Sequence, residues 1–134
     1  MESSRIVLRF TDGRVLKGYT QDFFPDQPTF HLHKKHPQFS KEAVEVSVKD
    51  LKGVFFVRDF LGKPESREPK KIPDGMRVYG RKVEVTFKDQ EVMVGSTLDY
   101  SPQSMGFFVF PSNPHSNNIM VYVVSQEVSQ VRFL

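Results

Sequence analysis

The 134-residue chain contains no cysteine. That excludes a disulfide framework and any thiolate metal site, and it fits a reducing compartment. No apolar run approaches the roughly 20 residues of a membrane span, and the opening Met1-Glu2-Ser3-Ser4-Arg5 lacks the apolar stretch of a signal peptide. The expectation is a soluble cytoplasmic protein that makes no use of a membrane. No glycine cluster precedes a helical pattern, so nothing points to a P-loop or a dinucleotide site. The serines, Ser116 beside His115 included, lack a G-x-S-x-G setting. With no catalytic constellation assembled, neither an enzyme nor a cofactor is expected. Charge of one sign is also scarce, since the formal net charge is +3. Residues 1–57 carry nine Lys/Arg against seven Asp/Glu, residues 58–77 six against four, and residues 78–134 four against five. A nucleic-acid binder usually shows a stronger basic bias, and here the surplus sits in the first part of the chain.

What the chain does have is a second copy of itself. An offset of 77 positions aligns Arg5-Ile6-Val7-Leu8-Arg9-Phe10 with Lys82-Val83-Glu84-Val85-Thr86-Phe87, and the match runs on without a gap. It pairs Asp12 with Asp89, Val15 with Val92, Gly18 with Gly95, Thr20 with Thr97, Asp22 with Asp99, Phe30 with Phe107, Pro37 with Pro114 and Phe56 with Phe133. A repeat of this kind predicts one folding unit used twice. A unit of roughly 55 residues buries only about 60% of its unfolded surface, so each copy gains from a neighbour covering its open face.

Within each copy apolar residues alternate, which is the period of a half-buried strand. Ile6, Leu8 and Phe10 face one way, and Val83, Val85 and Phe87 repeat them. Asp12-Gly13 suits a two-residue hairpin turn; Asp89-Gln90 at the matching place forms one less readily and predicts local strain. Gly18 and Gly95 interrupt the second strand of each copy, predicting a sharp bend or a close backbone approach. Third strands are expected over Phe30 to His33 and Phe107 to Phe110, fourth strands over Val44 to Val48 and Met120 to Val124. After short links through Lys49 to Gly53 and Ser125 to Gln130, fifth strands follow over Val54 to Val57 and Val131 to Leu134. The fold class predicted is all-β: two tandem five-stranded small barrels related by internal duplication, at 1–57 and 78–134. Residues 58–77, with Pro64, Pro69, Pro73 and charges of both signs, are expected to form an extended tether in which Lys70-Lys71 stays solvated.

The run Phe10-x-Asp12-Gly13-x-Val15-x-x-Gly18-x-x-x-x-Phe23 resembles the first motif of the Sm-like family of SH3-like small barrels. Strand four, a turn and strand five, around Lys52-Gly53, resemble its second motif. The chain is also similar to bacterial tandem modules of unknown function with an F-x-D-G-x-V-x-x-G-x-T-x-D-F pattern and a later G-F-F-x-x-P stretch, here Gly106-Phe107-Phe108-Val109-Phe110-Pro111. The Sm-like resemblance implies RNA contact through Asp26 and through the Lys52-Gly53 pair. Gln27-Pro28-Thr29 stands where that family carries an asparagine, and Gln103-Ser104-Met105 with Ser129-Gln130 lacks both charges in the second copy.

Three polar or aromatic features invite function. His31 and His33 project to one face of a strand, which suits a two-imidazole metal site, an anion contact or a plain solvated face; Lys34 and Lys35 beside them disfavour a cation. Phe108 and Phe110 occupy the matching positions and, facing away from Phe107 and Val109, predict an interface with the first copy, the linker or a second chain. Thr20/Asp22 and Thr97/Asp99 are expected to bond loop backbone. The reading reached is a non-enzymatic tandem module that binds a protein partner, with a homo-oligomer open. The alternative is an RNA-binding protein using Asp26, Lys34, Lys35, Lys49, Lys52 and Gly53.

Overall fold

The computed structural model describes residues 2–61, 80–113 and 115–134. The tether expected over 58–77 therefore falls mostly outside the described residues, and so do Pro64, Pro69, Lys70, Lys71, Pro73 and Pro114. The strands are β1 (Ser4–Phe10), β2 (Val15–Thr20), β3 (Thr29–Leu32), β4 (Val44–Ser47), β5 (Leu51–Val57), β6 (Arg81–Phe87), β7 (Val92–Thr97), β8 (Gly106–Pro111), β9 (Asn118–Val124) and β10 (Val128–Phe133). One-turn 3-10 segments, Val48–Asp50 and Ser125–Glu127, precede β5 and β10.

The chain is all-β, and the strands of the two small, partly open barrels expected are joined through one large sheet. Eight strands form one open antiparallel sheet in the order β10-β6-β7-β8-β9-β5-β1-β2, and β3 pairs with β4 in a small second sheet. A single bridge, Tyr19 to His33, ties β2 to the end of β3. The reason the sheet is continuous is the pairing of β5 with β9, which sets Gly53 opposite Val123, Val54 opposite Tyr122 and Phe55 opposite Val121. β5 also begins three residues earlier than its predicted start at Val54. Lys52 and Gly53, expected in a link, lie inside the strand, because Leu51 is fully buried and both faces of β5 are covered.

Two apolar cores result. Ile6, Leu8, Phe10, Phe30, Leu32, Val46, Val54 and Phe56 form one, which Tyr122 and Val124 of β9 complete. Val83, Val85, Phe87, Phe107, Val109, Val121 and Val123 form the other, completed by Phe55 and Val57 of β5. Because side chains alternate along a strand, β5 and β9 each send one row into each core.

The hairpin turns are built alike. Asp12 Oδ1 accepts from the Arg14 N–H at 3.0 Å, and Asp89 Oδ1 from the Glu91 N–H at 3.0 Å. Gly13 takes φ +93° and Gln90 takes φ +76°. The left-handed region is open to glycine and costs a side-chain-bearing residue on the order of 1–2 kcal/mol, so the strain foreseen at Asp89-Gln90 is located in the backbone of Gln90.

Candidate functional site

Tyr122, Phe108 and Lys52 lie on or beside the strands of the junction where β5 meets β9. Phe108 packs from β8 toward the first core, with ring centroids 6.4 Å from Phe23, 6.4 Å from Phe56 and 5.1 Å from Tyr122. Tyr122 is the largest of the fully buried side chains, and its hydroxyl donates to the Pro25 carbonyl at 3.3 Å. Burial, with the Asp99 charge adding to it, pushes its phenol pKa up. Phe110 is half-buried next to the close approach of β8 to β7.

Lys52 sits at the lower end of this junction and is only 5% exposed. Its ammonium bonds Asp89 Oδ2 at 2.7 Å, pairs with Glu91, and lies 4.5 Å from the centre of the Phe87 ring. Glu91 in turn accepts from Arg9 at 2.8 Å. The expectation that Lys52 offers its charge to a phosphate meets a different arrangement: the strand turns the side chain into the protein, where two carboxylates of the β6–β7 turn neutralise it. Gly53, its expected companion, faces Val123 inside the sheet. Of the other RNA candidates, Asp26 is exposed in the loop before β3, Lys34 and Lys35 line a shallow basin of about 480 Å³ with Glu42 and Val44, and Lys49 is exposed on the 3-10 turn. Lys52 and Gly53 are buried, whereas Asp26, Lys34, Lys35 and Lys49 are exposed.

Lys52, Asp89 and Glu91 yield a testable asymmetry. A buried ammonium stripped of its counter-ions is costly, whereas an apolar side chain of similar length fills the same space. Asp89→Asn with Glu91→Gln is expected to cost about 2–3 kcal/mol, discounted from the fully buried case because the two carboxylates are 53% and 40% exposed. Lys52→Met should cost under about 1 kcal/mol. Denaturant titration of both variants decides, and the reverse order would sink the explanation. The hydrogen bonds from Lys52 and from the Glu91 N–H hold the Asp89 pKa below its ordinary value. This contribution is present above the unfolded pKa, begins to fall near about pH 4 and is gone once the pH drops below the folded pKa.

Asp22 and Asp99 do the same local work in both halves. The His31 N–H donates to Asp22 Oδ1 at 2.9 Å and the Phe108 N–H to Asp99 Oδ1 at 3.2 Å, while Thr20 and Thr97 donate to the same carboxylates. Burial raises the Asp22 pKa, but the His31 backbone and ring and the Thr20 hydroxyl outweigh it and leave the group below the usual carboxylate range. His31 Nδ1 lies 2.6 Å from Asp22 Oδ2 and the residue is exposed; His33 is half-buried at the β2–β3 bridge. Among the described residues no group of three His, Cys, Asp or Glu could hold a metal. The residues that sequence reasoning missed are Glu91, Arg9 and Tyr122. A lysine inside the otherwise apolar Leu51–Val57 was the one signal available for the charge cluster, because both faces of that strand had to be covered.

A groove of about 340 Å³ also opens across the junction, with Val7, Phe55, Val57, Met93 and Val94 as its apolar lining and Arg9, Lys17 and Glu91 among its charged residues. Lys17 donates to the Phe60 carbonyl at 2.8 Å. Among the described residues the large sheet ends at β10, which pairs only with β6, and at β2, which beyond β1 has the Tyr19–His33 bridge; in the second sheet β4 pairs only with β3. No helix among the described residues is long and apolar enough to cross a membrane.

An eight-stranded open sheet with a small second sheet beside it defines an all-β protein. Residues 2–134 match a family described as a family of unknown function (DUF6982), and the chain belongs to that family. No curated protein and no solved structure matches it.

Proposed function

We propose that the chain is an internally duplicated pair of Sm-like β modules of bacterial, cytoplasmic type that binds a protein partner without catalysis. The observation that carries this reading is that β10 ends the eight-stranded sheet and β4 lies in the small second one, each pairing with a single strand among the described residues. An open edge binds an extended segment through backbone hydrogen bonds and reads it through alternate side chains. β9 already does this to β5 within the chain. The duplication is supported by strand bounds that recur at the 77-residue offset, Ser4–Phe10 with Arg81–Phe87 and Val15–Thr20 with Val92–Thr97.

RNA binding is the second reading. It rests on Lys34, Lys35 and Lys49, which remain exposed, and loses Lys52 to the junction. Affinity capture from a lysate of the native host separates the two, run with and without nuclease, on the wild type and on Ser129→Lys with Gln130→Lys at the β10 edge. The expected result is a protein retained after nuclease and captured roughly tenfold less by the edge variant. Loss of all capture on nuclease treatment would transfer the function to RNA. Equal capture by the edge variant would remove β10 from the account.

A further inference from the structure

The junction is the only place among the described residues where the two halves meet strand to strand, and it is made from dissimilar edges: the fifth strand of the first half and the fourth strand of the second. Such a head-to-tail contact can repeat, because each chain still exposes the complementary pair, β10 and β4. The register of the existing junction, moved by 77 positions, would set Gln130 opposite Val46, Val131 opposite Glu45 and Arg132 opposite Val44 of a second copy. Backbone geometry therefore permits growth. Side chains decide whether it happens.

Two cross-strand pairs differ in kind between the covered face and the open one. At the junction Val7 lies opposite Phe55, and both pack toward the second core. At the matching place Glu84 lies opposite Arg132, joined at 3.2 Å, with the Arg132 side chain 60% exposed. On the other edge, Phe108 lies opposite Tyr122, and both pack on the first core. Its counterpart is His31 opposite Glu45, both exposed. In a second junction Arg132 would occupy the place of Phe55 and Glu45 the place of Tyr122. Arg132 would keep only its pair with Glu84 and Glu45 would gain no partner, so both charges would lose water at a cost.

We propose that the chain carries a latent copy of its own junction, which a second copy of the chain fits in backbone register, and that Glu84–Arg132 on one edge and His31–Glu45 on the other keep it closed. The two-module unit is thereby limited to one junction, and its edges stay available for segments of other sequence. This goes beyond the partner-binding reading, and its test uses only this chain, so the two can fail separately.

The test restores the apolar pairs one edge at a time. Glu84→Val with Arg132→Phe opens the β10 edge; His31→Phe with Glu45→Tyr opens the β4 edge. In analytical ultracentrifugation the wild type and each variant alone should remain monomeric, while an equimolar mixture of the two variants forms a one-to-one dimer with at least roughly tenfold tighter association than any single species. Two folded variants whose mixture is no heavier than its components would overturn the proposal. So would a variant that associates with itself as strongly as with the other, or a wild type that assembles head to tail. If a double variant loses its cooperative melt, Arg132→Phe mixed with Glu45→Tyr tests the same contact with one substitution per chain.

Discussion

Tyr122→Ala is expected to lower the free energy of unfolding by about 3–5 kcal/mol, the range for truncating a buried aromatic side chain. Tyr122 belongs to β9 but fills the first core, with ring centroids 5.1 Å from both Phe23 and Phe108. Its removal leaves a cavity against two elements of the first half and one of the second, and β-sheet backbone on both sides limits how far the site can collapse. Tyr122→Phe keeps the ring and loses only the hydrogen bond to Pro25, at a cost of about 1 kcal/mol or less. Chemical denaturation of the pair measures both. A loss under about 1.5 kcal/mol for the alanine variant would mean that the first core closes without β9. Because β5 and β9 serve both cores, the melt of the wild type should be a single transition.

Gly95→Val should destabilise by about 3 kcal/mol or more and lower the melting temperature by roughly 10 °C or more. A Cβ on Gly95 would overlap the Phe110 carbonyl oxygen and stand 2.9 Å from its carbon. Those are backbone atoms of β8, which pairs with β7 through Gly95–Pro111 and Ser96–Phe110. A side chain can rotate away, but here the strands themselves must part. Gly18 meets the His33 carbonyl oxygen in the same way, so Gly18→Val should behave alike at the β2–β3 bridge. Unchanged melting of the Gly95 variant, followed by circular dichroism, would show that β7 and β8 are not held at this spacing.

The collision at Gly18 and Gly95 was legible in the sequence because a glycine inside an alternating strand at two matching positions has few other uses. The hairpins at Asp12-Gly13 and Asp89-Gln90 were legible for a similar reason, since turn chemistry is local. So was the outward direction of Phe108 relative to Phe107, which follows from the two-residue period of a strand. What covers Phe108 was left as three alternatives, and its neighbours Phe23 and Phe56 lie 85 and 52 positions away in the chain.

Lys52 shows where such reading stops. Next to a glycine and before an apolar run it looked like a loop residue with a free charge, because the pairing of β5 with β9 and the approach of Asp89 and Glu91 leave no trace in local pattern. The sequence by itself determined the all-β class, the turns and the inward rows of β1 and β6, all of which depend on residues close together in the chain. Only the tertiary structure decided that eight strands share one open sheet, that Lys52 is buried as an ion pair, and that Arg132, opposite Glu84, and Glu45, opposite His31, lie on edge strands. Those outcomes depend on which strand lies beside which, and the backbone hydrogen bonds that join strands are the same for every residue type except proline.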